Sequence, residues 1–222
     1  MMSGNLISHR FRPIHKFTLG ELVNEEIYFC SPSKFNDPFD CRIDVRKVLE
    51  QHAVDQKAIA VVEKIVQNVG VVCFSYDLRN TLMWSHYAQN HEGLCITYEI
   101  PSRHIIDNQD RILGWSPVRY KAQEIERLLV ENKDEPEQLI TILLSSKSES
   151  WEYEQEFRVV SREPGVQKIE REWIRQICFG LNTKDENIKL VRNIAQEKYP
   201  QAAICKMERD GRSLFSYQAV VI

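Results

Sequence analysis

An excess of either charge is missing from this 222-residue chain: 29 lysines and arginines stand against 32 aspartates and glutamates, a formal net charge of −3. No global basic field is present to draw in nucleic acid or a membrane surface, although a local basic groove is compatible with that total. No apolar run approaches the ~20 residues that span a bilayer. The start, Met1-Met-Ser-Gly-Asn-Leu followed by His9-Arg-Phe-Arg12, has no apolar segment of a signal peptide. A cytoplasmic location and no membrane partner are expected. Six cysteines form no CxxC pair, and several sit in apolar runs such as Val71-Val-Cys-Phe74 and Ile177-Cys-Phe179, which predicts buried free thiols. GxGxxG after a strand, a Walker loop, GxSxG and HExxH are all missing, which argues against classical dinucleotide folds, P-loop NTPases, α/β hydrolases and zincins. Neither an internal repeat nor a low-complexity linker divides the chain, so one domain over residues 1–222 is expected.

Short strands are predicted at Leu6 to Arg12, Glu26 to Cys30, Val71 to Tyr76, Leu94 to Ile100, Ile112 to Tyr120, Trp151 to Val160 and Ile174 to Phe179. A final hairpin is predicted from Ala202 to Met207 and Leu214 to Val221. Helical periodicity covers Asp44 to about Asn68, Asn80 to Asn90, Ala122 to Asn132, Glu135 to Ser146 and Asp185 to Lys198. Thr18 and Glu21 have the spacing of a capping box for a short helix ending near Asn24. Strands and helices mix without a regular βα repeat. That predicts an α+β fold with a mixed, largely antiparallel central sheet flanked by helices.

The acidic segment Trp151-Glu-Tyr-Glu-Gln-Glu-Phe-Arg158 is the densest candidate site. As a strand it puts Glu152, Glu154, Glu156 and Arg158 on one face, neighbours roughly 6.5–7 Å apart. Two carboxylates so placed can address one small ligand, one stabilising developing positive charge and the other steering a nucleophile. A solvated strand face with cross-strand ion pairs has the same pattern. Phe35-Asn-Asp-Pro-Phe-Asp40 is a second candidate. Phe35 and Phe39 are expected to anchor it in the core. Asn36 and Asp37 then form a polar clamp, or Asp37, Asp40, Glu154 and Glu156 hold Mg²⁺; a plain Asx turn is the alternative. In Met83-Trp-Ser-His-Tyr-Ala-Gln-Asn-His-Glu-Gly93, Trp84, Tyr87, Ala88 and His91 share a helical face that suits either ring stacking or core packing. His86 and His91, five apart, do not suit joint metal ligation, so no metal site is assigned there. Arg10 and Arg12, alternating along the first strand, can fork a pyrophosphate or carry surface charge.

These segments together resemble a bacterial family, domain of unknown function 2971, with its pattern of "lyfssPssFNDPfD", "cFS", "MWshYadnheGvcigf" and "W.yEkEyR". The matching stretches are Tyr28 to Asp40, Cys73-Phe-Ser75, Met83 to Gly93 and Trp151 to Arg158. The order of the parts also resembles ADP-ribosyltransferases, which use an arginine on the first strand, a Ser-x-Ser segment and a Glu-x-Glu pair. The counterparts are Arg10 or Arg12, Ser31-Pro-Ser33 (with proline where threonine is usual) and Glu154-Gln-Glu156.

That second resemblance implies NAD as substrate. The strand-one arginine would hold its pyrophosphate or ribose, and Ser31 and Ser33 would brace the nicotinamide ribose. Glu156 would stabilise the oxocarbenium ion, Glu154 would orient the acceptor, and Trp84 or Tyr87 would stack on a ring. Asn36, Asp37 and Arg158 complete the expected binding residues. The acceptor would be a protein or nucleic acid, and the setting a toxin or phage-defence effector with an antitoxin or defence partner. A metal-dependent nuclease or phosphodiesterase and a non-catalytic binding module in a defence or stress system are the competing expectations.

Overall fold

The structure, a computed structural model, describes residues 5–42, 48, 56–108, 110–211 and 216–222. The strands are β1 (Asn5–Arg12), β2 (Glu26–Phe29), β3 (Gly70–Ser75), β4 (Leu94–Pro101), β5 (Ile112–Pro117), β6 (Glu156–Ser161), β7 (Gly165–Lys168), β8 (Ile174–Phe179), β9 (Ala203–Arg209) and β10 (Tyr217–Val221). With helices interspersed, the fold is α+β with a mixed, mostly antiparallel sheet: β1–β4, β4–β8, β5–β6 and β9–β10 pair antiparallel and β8–β9 pair parallel. The helix expected from Asp44 is observed as Gln56–Asn68; residues 43–47 and 49–55 lie outside the described residues. None of the described helices is long and apolar enough to cross a membrane.

Two compact units are built from interleaved segments. The first comprises Met1–Tyr28, Phe74–His104 and Val166–Ile222, and the second Phe29–Cys73 and Ile105–Gly165. Because each unit is assembled from separate stretches of chain, no linker composition marks the division.

In the first unit the strand order is β10-β9-β8-β4-β1. β4 lies in the middle and reads Leu-Cys-Ile-Thr-Tyr-Glu-Ile-Pro, nearly unbroken apolar sequence, because both its faces are covered. It pairs with β1 from Asn5↔Pro101 to Arg12↔Leu94. The parallel β8–β9 pair needs a crossover, which the helix Asp185–Lys198 supplies.

The helix Lys16–Asn24 begins differently from expectation. His15 is its cap, its Nδ1 accepting from the Thr18 amide at 3.2 Å, and Thr18 is buried inside the helix. Glu21 therefore does not close a capping box. It accepts from Arg10 at 2.9 Å and Arg12 at 3.3 Å, since a buried carboxylate gains more from two guanidiniums than from a backbone amide.

Met83 to Gly93 forms the end of the helix Thr81–Tyr87 and the turn after it. Gln89, Asn90 and His91 are left-handed in succession (φ 51°, 52° and 67°), a conformation that costs L-residues roughly 1–2 kcal/mol each. Backbone hydrogen bonds hold it. Gly93 N–H donates to Ala88 O at 2.8 Å, Gly93 O accepts from the Gly180 amide at 2.9 Å and from Thr183 Oγ1 at 2.8 Å, and His91 O accepts from the Asn182 amide at 2.9 Å.

The second unit orders β3-β6-β5. Its core takes Ile59, Val62 and Val66 from Gln56–Asn68, Ile125 and Leu129 from the helix Ala122–Glu131, and Leu139, Ile142 and Leu143 from the helix Pro136–Leu144. Those intervals of three, four and seven are what put one helical stripe against a sheet.

At Gly180 the backbone of His91 stands where a Cβ would have to be. Gly180→Ala is expected to lower stability by about 1–3 kcal/mol through overpacking against backbone that cannot move aside. Urea denaturation of the two proteins measures it, and an exposed Gly211→Ala serves as the control.

Candidate functional site

The acidic segment is not one strand. Glu149–Glu154 is a 3-10 helix, Gln155 takes a left-handed conformation (φ 44°), and the strand begins only at Glu156. Continuous strand would have lined up Glu152, Glu154 and Glu156 with the same sign of charge, and a poor strand former at each. The turn at Gln155 removes Glu152 from the set and swings Glu154 back toward Glu156. Nor is the face solvated: Glu154 is 2% exposed, Glu156 4% and Arg158 0%.

Two cations of the same unit hold these carboxylates. Lys147 Nζ meets Glu154 Oε2 at 2.5 Å, Glu156 Oε2 at 3.1 Å and Asp40 Oδ2 at 3.4 Å, so its three protons face three carboxylates. Arg158 uses the whole guanidinium. Nε donates to Glu156 Oε1 at 2.7 Å and Nη2 to Glu156 Oε2 at 3.1 Å. Nη1 and Nη2 fork onto Asp40 at 2.8 Å each. Nη1 also reaches Leu144 O at 2.9 Å and Cys41 Sγ at 3.0 Å. Leu144 ends the helix Pro136–Leu144, where unpaired carbonyls favour a cation. The Trp151 ring lies 5.0 Å from Lys147 Nζ and the Phe35 ring 5.5 Å from the Arg158 guanidinium carbon. Three carboxylates against two cations leave one formal negative charge.

Lys147 is aimed inward by its backbone. Its amide donates to Arg119 O at 3.0 Å, and the Arg119 amide donates to Ser145 O at 2.8 Å. Tyr120 Oη accepts from the Glu156 amide at 2.8 Å and fixes the first residue of β6. Burial alone works against every charge here. For Glu156 it is outweighed by Arg158 and Lys147, which hold the carboxyl at about 2. For Lys147 it is outweighed by Glu156, Glu154 and Asp40, which hold the ammonium above the ordinary lysine range. Burial pushes the Cys41 thiol up to about 12 and the Cys73 thiol well above its usual value, so neither is a ready nucleophile. All six cysteines are free thiols.

The other expected site residues fall in smaller local arrangements. Ser31 and Ser33 bond to each other at 2.8 Å, and Ser31 Oγ caps the 3-10 turn Pro32–Lys34 while donating to Gln67 O at 3.1 Å. Asp37 forms the Asx turn, Oδ1 accepting from the Phe39 amide at 2.9 Å, and Asn36 is exposed. Phe39 does not anchor the loop in the core. It is 70% exposed, whereas Phe35 packs against the core as expected and Asp40 and Cys41 are buried. Arg10 and Arg12 belong to the first unit and are paired there with Glu21. Trp84 offers no stacking surface: it is 0% exposed, its Nε1 donates to Leu78 O at 2.7 Å, and its ring meets Phe11 edge to face. Tyr87 is half-buried beside His86, and His91 lies beyond the helix, in ring contact with Tyr217. Among the described residues no group of three His, Cys, Asp or Glu is arranged to hold a metal ion. Asp40, Glu154 and Glu156 surround Lys147 where a cage would surround a cation.

Arg158→Met is expected to cost about 3–5 kcal/mol, because it leaves buried carboxylates short of a partner. Glu156 carries a pH signature. Its carboxyl is held below the ordinary 4.5. Its contribution is therefore complete above that value and lost as pH falls from 4.5 through about 2. Melting temperature against pH is expected to drop across that acid window, and Glu156→Gln is expected to flatten that part of the curve.

No curated protein and no solved structure matches the chain. A family model does match, over residues 83–159. That span holds Lys147, Glu154, Glu156 and Arg158 and leaves the loop with Asp40 outside. Over that segment, about a third of the chain, the sequence is similar to the family described as Protein of unknown function (DUF2971).

Proposed function

We propose that the chain is a non-catalytic binding module whose recognition element is the loop from Phe35 to Asp40, with the Phe39 ring as its anchor. One observation carries this reading: a phenylalanine 70% exposed in a loop that is tied down at several points on either side of the ring. Asp37 ties the Phe39 amide, Arg42 Nη2 donates to Pro32 O at 3.3 Å, and Asp40 is forked by a buried guanidinium. A rigid loop presenting one aromatic ring loses little entropy on binding, and aromatic rings are the commonest anchors of protein interfaces. The partner this chemistry fits is a protein with an apolar pocket of ring size.

ADP-ribosyl transfer retains one supporting observation, the convergence of Glu154 and Glu156 with Glu156 held ionised. Against it, Lys147 and Arg158 already neutralise most of that charge, which weakens the field an oxocarbenium ion would feel. The two readings part in a paired experiment. Incubation with NAD is expected to release no nicotinamide. A photo-crosslinking side chain at position 39, in cells, is expected to give one discrete adduct, and Phe39→Ala to abolish partner capture without lowering the melting temperature. Nicotinamide release that disappears in a folded Glu156→Gln variant would overturn the binding reading. So would an adduct pattern no different from one with the crosslinker at an exposed site such as Lys57.

A further inference from the structure

Among the described residues, the outermost strand of the first unit, β10, is an open edge. It pairs with β9 in the register Tyr217↔Arg209 to Val221↔Cys205, and no described strand pairs on its other side. The hydrogen bonds at its two ends fix which way each residue faces. The Ile222 amide donates to Ile204 O at 3.0 Å, and Ser216 O accepts from the Asp210 amide at 2.9 Å. Bonded and non-bonded pairs alternate in an antiparallel ladder. Residues 216, 218, 220 and 222 therefore spend their backbone groups on β9. Tyr217, Ala219 and Val221 turn N–H and C=O outward.

Sheet edges are ordinarily blunted by charge, proline or a bulge. In the second unit β5, the outermost strand, has both a register shift between Ile112 and Gly114 and a terminal Pro117. β10 has none of these. Tyr217-Gln-Ala-Val-Val-Ile222 contains no charged residue and no proline. Val221 is 74% exposed.

We infer that β10 is an assembly edge, and that its occupant is β10 of a second copy of this chain, antiparallel about a two-fold axis at Ala219. The strand is complementary to itself in that register. Outward-facing Tyr217, Ala219 and Val221 meet Val221, Ala219 and Tyr217 of the other copy, all as hydrogen-bonded pairs. Two bonds per pair give about six in all. Each end sets an aromatic ring against a β-branched side chain, a favoured cross-strand pair, and no like charges oppose. The axis makes the contact isologous, so it closes at two copies.

Sedimentation of the full chain over a wide concentration range tests this. The wild type is expected to form dimers and nothing larger. Ala219→Pro removes an outward N–H that β9 does not use, so it leaves the sheet within one copy intact while deleting the central pair. Val221→Lys places like charge at both ends of the contact without touching a backbone bond. Each is expected to weaken dimerisation about tenfold or more while melting temperature, extrapolated to low concentration, stays at the wild-type value. If Ala219→Pro proves unfolded, Val221→Lys decides. A wild type that stays monomeric, a dimer indifferent to both changes, or a ladder of higher species would each overturn the inference.

Discussion

Arg158 and Lys147 face Asp40, Glu154 and Glu156 in a site almost closed to solvent, and satisfying those buried charges draws on elements from across the second unit. Moving an ion out of water costs several kcal/mol even after relaxation, so a buried pair is stable only when every donor and acceptor is used. Arg158 meets the condition with Asp40, Glu156, Leu144 O and Cys41 Sγ; Lys147 meets it with three carboxylates. The partners come from distant positions: a loop before the first long helix, the end of another helix, and the turn before β6. Bringing them together ties three separate stretches of chain to one cluster. Burial of leucines and valines drives collapse without choosing among similar packings. The charged cluster adds a directional requirement to that burial.

The turn at Gln155 illustrates why alternation was a poor guide at the site. Period-two counting placed Glu156 and Arg158 correctly on one face, and they do bond to each other. It also enrolled Glu152 and Glu154, because a left-handed residue and a 3-10 turn leave no mark on a run of alternating charge. Lys147 had still less signal: a lone lysine after an apolar helix usually faces water. Its direction is set by the Arg119–Ser146 bridge, a contact long in sequence and carried by backbone atoms. The elements themselves were far more legible. Ile174–Phe179 and Asp185–Lys198 coincide with their sequence boundaries, since apolar periodicity and a flanking Gly or Pro define them locally. Where two local rules competed, at Thr18 and Glu21, the tertiary charge pairing prevailed over the cap.

The stretch from Met83 to Gly93 shows how a long, specific motif can be about backbone. Its aromatic face suits either a ligand platform or the core, and Trp84, the largest fully buried side chain, takes the second role. The rest of the motif makes three left-handed residues and a glycine against which the turn after β8 is hydrogen-bonded. Strain of that kind persists only where surrounding contacts over-determine it. Here they are visible: His91 O and Gly93 O each receive donors from residues 180–183.

Asp40 joins the buried cluster to the exposed loop. Its carboxylate is fixed by Arg158 and Lys147, while the residue before it in the chain holds its ring in solvent. Exposing a phenylalanine ring forgoes roughly 1.5–3 kcal/mol of burial, and a flexible loop would recover much of that by folding the ring inward. The Asx turn at Asp37 and the fork on Asp40 deny it that escape. Loosening the cluster would thus be felt first at Phe39, where the ring could collapse onto the unit's own surface. The acidic motif and the FNDPFD loop are thus mechanically joined: the buried charges that fix Asp40 also fix the position from which the Phe39 ring projects.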